Sequence, residues 1–215
     1  MPKPQTLAAL SLGAVAIALA AFGCSDDDPP PCFNGSCACP PDQSCQLPCL
    51  APPCHISCVR NNPSCLGQCG NGDCYCGPGS NCQFTCQSPP CHVSCDQGTQ
   101  CTGTCANGEC SCAAGSSCSF TCSAGPCHVA CDGDNGSCNG ECANGSCNCG
   151  PNSSCHFSCI DDNCHASCAA GSACVLECSG ARAGEQGCRF DSCAAGTPVV
   201  CPGGKTSACG APCPG

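Results

Sequence analysis

Tryptophan is absent from this 215-residue chain, and tyrosine and methionine occur once each, the methionine at position 1. Ile, Leu, Val and Phe are too sparse beyond residue 23 to build an ordinary hydrophobic core, so a conventionally packed globular domain is excluded. Positive charge is also scarce. After Lys3 the only basic residues are Arg60, Arg182, Arg189 and Lys205, against 15 acidic ones. No basic face exists to neutralise phosphates, and nucleic acid is not expected as a partner. The scattered acids read as a solvated surface that keeps the protein soluble. Catalytic and ligand-loop signatures are missing as well. Gly204-Lys205-Thr206 has Val199 where a phosphate-binding loop needs glycine, and Asp132-Gly133-Asp134-Asn135-Gly136 lacks the distal Glu of a calcium loop. No Ser/His/Asp set stands in a recognisable context, so an enzyme is not expected.

What the chain has instead is cysteine, 39 residues of it, far above the level that marks a disulfide scaffold. Residues 1–23 read as a secretory leader: Lys3, then an apolar run from Leu7 to Phe22 that is too short for a comfortable membrane span. The ending Ala21-Phe22-Gly23-Cys24 resembles the lipobox of bacterial lipoproteins. That resemblance implies lipidation of Cys24 as the first mature residue and attachment to a membrane through the lipid. Removing Cys24 leaves 38 cysteines, an even number that pairs completely. Residues 24–31 follow as an acidic, proline-rich tether with nothing to bury. Ser25 after the lipidated cysteine resembles outer-membrane sorting, so the expected location is the outer membrane, facing the periplasm or the cell surface.

Repeats occupy residues 32–178. The segments 65–95, 101–131 and 138–168 share the spacing C-x3-C-x4-C-x-C-x5-C-x3-C-x4-C-x3-C and recur every 36 or 37 residues. Residues 32–58 are the same unit with Asp28 where its first cysteine would stand, and 174–178 begin a degenerate one. Within each repeat, cysteine-led pieces start at 65, 74, 82, 91 and then 101, a step of about nine residues. Strand side chains alternate, so Cys82, Phe84 and Cys86 face inward while Gln83 and Thr85 face outward. Cys91, Val93 and Cys95 repeat the pattern, and Pro89-Pro90 breaks the backbone between the two pieces. A short strand plus a turn in each step is how a solenoid is written, with Asn-Gly pairs at 71, 107 and 144 favouring turns of positive φ. The expected fold is all-β, a small disulfide-rich β-solenoid, with one inner column of Phe84, Phe120 and Phe157, a second of Val93, Val129 and Ala166, and a third of Gly67, Gly103 and Gly140. Cys65, Cys69, Cys74, Cys76, Cys82, Cys86, Cys91 and Cys95 are expected to be bridged, in a pairing the sequence leaves open and with some bridges between neighbouring repeats. Residues 179–215 carry irregularly spaced cysteines and read as a cap.

Two motifs offer a different chemistry. C-x4-C-H at Cys49/Cys54/His55, Cys86/Cys91/His92, Cys122/Cys127/His128 and Cys159/Cys164/His165 resembles a longer-spaced c-type haem attachment site. C-x-C at 37/39, 74/76, 110/112 and 147/149 is similar to metallothionein. These imply, as the alternative reading, an exported metal or multihaem protein, with His55, His92, His128 and His165 as a column of outward ligands. An oxidising compartment favours bridging instead, and the leading reading needs no cofactor. The C-x3-C-x-N-G-x-C-x-C-x5-C run is similar to part of the tenascin-type EGF-like module. The chain as a whole resembles bacterial cysteine-rich repeat lipoproteins with C-x-[apolar]-x-C units. That resemblance implies a lipid-anchored envelope protein with a structural or interaction role and an envelope or extracellular protein partner.

Overall fold

The computed structural model describes residues 32–134, 136–161, 163–179, 183–184 and 187–215, with side chains from residue 35 onward. The leader, Cys24, the tether and Asp28 lie outside these residues. Among the described residues, fifteen strands make one sheet. They are β1 Cys32–Cys39, β2 Cys45–Leu47, β3 Cys49–Cys58, β4 Cys65–Cys76, β5 Asn81–Cys95, β6 Gln100–Cys112, β7 Ser117–Cys131, β8 Ser137–Cys142, β9 Ser146–Cys149, β10 Ser154–Cys159, β11 Cys164–Cys168, β12 Ala173–Cys178, β13 Cys188–Cys193, β14 Val199–Val200 and β15 Thr206–Cys209. No helix is present among the described residues, and none is long and apolar enough to cross a membrane. The pairing is parallel from β1 to β13, and the chain winds into a β-solenoid of about seven turns.

The register fixes the size of a turn. Cys65 lies beside Cys82, and Cys82 beside Cys101, so successive turns take 17 and 19 residues. The nine-residue step is therefore half a turn, and each 36- or 37-residue repeat is two turns. A turn has two arms. The first carries Cys-x-x-x-Cys, as at 65–69, and the second runs through the next inner cysteines, as at 72–76. Pro89 and Pro90 do not end the strand, because β5 continues through them. The bend between the arms is taken up by register shifts at the corner, where Cys69 pairs Cys86 but Gly72 pairs Cys91.

Stacking merges two columns that the sequence pattern keeps apart. Phe84 sits beside Gly67 on one side and Gly103 on the other, Phe120 between Gly103 and Gly140, and Phe157 between Gly140 and Leu176. The Phe and Gly columns are one column in which large and absent side chains alternate. A Cβ on Gly67 would stand 2.8 Å from Ile56 Cγ2 and 2.9 Å from Phe84 Cδ1, so the glycine is required by the ring beside it. In the second arm Val93 alternates with Cys74 and Cys110, and Val129 with Cys110 and Cys147. Two turns thus form the smallest unit that packs against a copy of itself.

Cysteine supplies the rest of the core. Eighteen disulfides are described. All but the last two join a cysteine to the next one along the chain, across a corner, as in Cys58–Cys65, Cys69–Cys74, Cys76–Cys82, Cys86–Cys91 and Cys95–Cys101. Their Cα atoms lie about 6 Å apart, as disulfide geometry requires. Bridges such as Cys95–Cys101 and Cys131–Cys138 link neighbouring repeats. Cys24 is the only cysteine of the chain that precedes the described residues. The corner bridged by Cys76–Cys82 and its equivalents turns on residues of positive φ, including Asn61, Gly79, Gly98 and Gly115. Buried hydroxyls behind this column satisfy backbone groups of the corner: Ser116 Oγ donates to Asp96 O at 2.7 Å, and Ser172 Oγ to Gly150 O at 2.6 Å. The opposite corner carries the Asn-Gly pairs, with Asn71, Asn107 and Asn144 at φ of 48°, 46° and 46°.

The end of the chain departs from the winding. β13 still adds to β11 in parallel, but β15 runs antiparallel to β12 and β14 antiparallel to β15. The bridges Cys193–Cys209 and Cys201–Cys213 interleave here, closing the last turn's edge.

Candidate functional site

The cysteine motifs and the histidine column are the places where chemistry was expected. In each C-x4-C-H unit the two cysteines are bonded to each other: Cys49–Cys54, Cys86–Cys91, Cys122–Cys127 and Cys159–Cys164. No thiol remains there to attach a haem. The C-x-C pairs are bonded outward, Cys74 to Cys69 and Cys76 to Cys82, with Cys37 also in a disulfide. Two clusters bring possible ligand atoms together, Cys149/Cys168/Cys174 and Cys159/Asp161/Cys164. Their sulfurs are all in disulfides and offer no thiolate.

His55, His92, His128 and His165 occupy one outward row of the second arm, every second turn. Asp73 lies beside His92, Glu109 beside His128, and Ser146 beside His165, which pairs Arg189 on its other side. The row is an alternation of imidazole with acid or hydroxyl rather than a run of imidazoles. Backbone N–H groups from the next turn donate to the rings: Asp73 N to His55 Nδ1 at 3.2 Å, Glu109 N to His92 Nδ1 at 3.1 Å, and Ser146 N to His128 Nδ1 at 3.2 Å. A neutral ring that accepts at Nδ1 carries its proton on Nε2, and that nitrogen then has no lone pair to offer a metal. Successive histidines are also two turns apart, about 9.6 Å at sheet spacing, too far to share one ion. The Ser146 hydroxyl stands 3.1 Å from His128 Nδ1, but the Ser146 N–H already occupies that lone pair, so the serine is not activated as a nucleophile.

The row ends in a small ionic cluster. His165 Nδ1 lies 3.0 Å from Asp191 Oδ1, which Arg189 Nε also meets at 3.2 Å, and His165 Nε2 faces Asn163 Oδ1 at 3.3 Å. At the other end His55 Nδ1 is 3.4 Å from Asp73 Oδ2. The sequence carried a signal for this alternation. Aligning the second arms on their closing cysteines, Cys76 with Cys95, sets Asp73 opposite His92, whereas aligning on C-x4-C-H leaves Asp73 without a counterpart.

Tyr75 stands in the next outward row, two residues along the strand from Asp73 and between Ser57 and Ser94. Its hydroxyl donates to Asp96 Oδ2 at 2.7 Å. That hydrogen bond to a carboxylate, with burial and the nearby negative charge adding to it, pushes the phenol up to about 12. A raised pKa here favours the neutral phenol. The bond's contribution to stability is therefore complete below about pH 10, declines above it and is gone beyond about pH 12. Since Tyr75 is the only tyrosine, an ultraviolet phenolate titration reads it alone. The midpoint expected is near 12, falling toward about 10 in Asp96→Asn; equal midpoints in the two proteins would show that Asp96 does not hold the phenol.

The residues that fill these rows compose polar, hydrogen-bonded surfaces on a disulfide core, with no metal-ready ligand set among the described residues. Comparison of the chain with protein families, with characterised proteins and with solved structures returned no match.

Proposed function

We propose that this protein is a lipid-anchored component of the bacterial cell envelope, held in the outer membrane through Cys24 and serving as a rigid structural or interaction element rather than an enzyme. The observation that supports this reading is the state of the cysteines. Every described one whose bonding is known is in a disulfide, and nearly all are buried, so the fold belongs to an oxidising, extracytoplasmic compartment. The parity of the sequence fits it: 39 cysteines less Cys24 leave an even set for bridging. Residues 24–31 would then space the first turn from the bilayer, and the membrane would be met through acyl chains rather than through a spanning segment. An envelope or extracellular protein is the expected partner.

Metabolic labelling with palmitate, together with intact mass of the mature chain, tests the anchor. The wild-type protein should carry label, begin at Cys24 and partition into detergent. Cys24→Ser should lose all three properties while keeping its bridges. Detergent partitioning that survives in Cys24→Ser, or a mature chain that retains residues before 24, would overturn the anchor.

A further inference from the structure

The first arms present a second long surface, on which neither histidines nor bridges dominate. Two outward rows run along it. One passes through Asn81, Gln100, Ser117, Ser137 and Ser154, and the other through Gln83, Thr102, Ser119, Asn139 and His156. Between them lies an open trough. Its central part, about 280 Å³, runs from Asn81 to Asn139 over the buried Cys101 and Cys118, and its continuation, about 230 Å³, shares Ser137 and Asn139 and runs over Cys155 to the cap at Ala211 and Pro214. The walls are carboxamides and hydroxyls as far as Ser154, beyond which Ala173 and Val175 meet the cap, and the only ionisable lining side chain is His156 at the capped end, which faces Glu177 at 3.2 Å. Thr102 Oγ1 points to Cys82 O at 3.5 Å, whereas the side chains of Gln83, Gln100, Ser119 and Asn139 take no hydrogen bond from the protein among the described residues.

We infer that this trough binds a linear, neutral polysaccharide laid along the solenoid axis. The inference is independent of the lipid anchor. Charge selects the class: the chain carries −10 overall, yet the trough offers no cation for a polyphosphate or polyuronate and no carboxylate pair for a polyamine. Sugar hydroxyls meet the carboxamide and hydroxyl walls, and the ring lies over the strand backbone at Cys101 and Cys118, whose side chains point into the core. The repeat also matches. Equivalent wall residues recur once per turn, about 4.8 Å, which is close to the advance of one pyranose unit. An extended peptide advances about 3.3 Å per residue and falls out of step within a few residues. From Asn81 to Ala173 the row crosses five such spacings, about 24 Å, so a hexasaccharide fills it.

The test uses the oxidised full chain with cellohexaose and chitohexaose as probes, read by backbone amide shifts. Saturable shifts are expected at 100–102, 117–119 and 137–139 with at least one probe. Ser119→Arg and Asn139→Arg, both at exposed positions, should each weaken that binding by about tenfold or more, with intact mass showing unchanged bridging. The inference is overturned if neither probe moves these amides up to its solubility limit, or if both arginine variants bind as the wild type does. It is equally overturned if a hexagalacturonate or a Ser/Asn-rich extended peptide binds the trough as tightly as the neutral sugars.

Discussion

Reductant alone, without denaturant or heat, abolishes the β-type circular dichroism of this protein. The largest buried side chains are three phenylalanines and a handful of Leu, Ile and Val, spread over about seven turns. Such a core does not repay the ordering of its backbone, which costs roughly 1–2 kcal/mol per residue. Each bridge closes a short loop and contributes about 2–3 kcal/mol in the chain-entropy model. Even with incomplete additivity, eighteen of them exceed the whole net stability of an ordinary domain, about 5–15 kcal/mol. Burial sets the order of loss. Most cysteines are fully buried, whereas Cys37, Cys86, Cys122, Cys193 and Cys213 are partly exposed. Timed alkylation followed by mass spectrometry should find bridges of these five cysteines opening first, and dichroism falling as the count of free thiols rises. A native spectrum persisting after mass shows complete reduction would refute the view that bridging holds the fold.

Deleting two turns leaves a stable, shorter solenoid, and deleting one does not. Removal of 101–137 takes out 8 cysteines, sets Cys95 before Cys138, and brings Phe84 beside Gly140 and Val93 beside Cys147, which preserves both alternations. Removal of 101–117 takes out four cysteines and leaves pairing possible, but it drives Phe84 against Phe120 and Val93 against Val129. Removal of 82–100 does the reverse, placing Gly67 beside Gly103 with a void where the ring of Phe84 was. Overpacking costs about 1–3 kcal/mol at each clash, and the lost phenyl ring about 3–5. At about 2–4 °C per kcal/mol, the one-turn deletions should melt roughly 5–20 °C below the two-turn deletion under matched oxidising conditions. Three melting curves decide it, and coincident midpoints would show that the alternation does not carry the packing.

Much of this was legible in the residues. The period-two pattern of Cys82, Phe84 and Cys86 set the inner face, the nine-residue step set the corners, and Asn71, Asn107 and Asn144 announced the positive φ that they adopt. What could not be read was how many steps close a turn. A strand and a corner have the same local pattern whether two or three of them complete the circuit, and only the pairing of Cys65 with Cys82 settles it. For that reason the repeat pattern puts Phe84 and Gly103 in separate columns. Aligning repeats compares residues two turns apart, while packing contacts are made between residues one turn apart. Asp73 and Glu109 carry no such signal in the repeat pattern on the same ground, as they belong to the turns that lack a C-x4-C-H motif. Disulfide pairing was hidden because all corners carry cysteines at similar spacing, and burial does not discriminate among them.

The nearest-neighbour bridging has a consequence for how such a chain is made. With 38 cysteines beyond Cys24, random oxidation would scramble. Yet up to Cys188 every described bond joins partners only 5 to 10 residues apart. A chain emerging from its N-terminus presents each thiol to its own partner almost at once, when loop closure is least costly and few competitors have appeared. Each completed turn then offers the following one a finished edge to pair with. Only Cys193–Cys209 and Cys201–Cys213, with separations of 16 and 12, have to wait. Assembly of this molecule is therefore a zipper that runs in the direction of synthesis, with its clasp in the two interleaved bridges between residues 193 and 213.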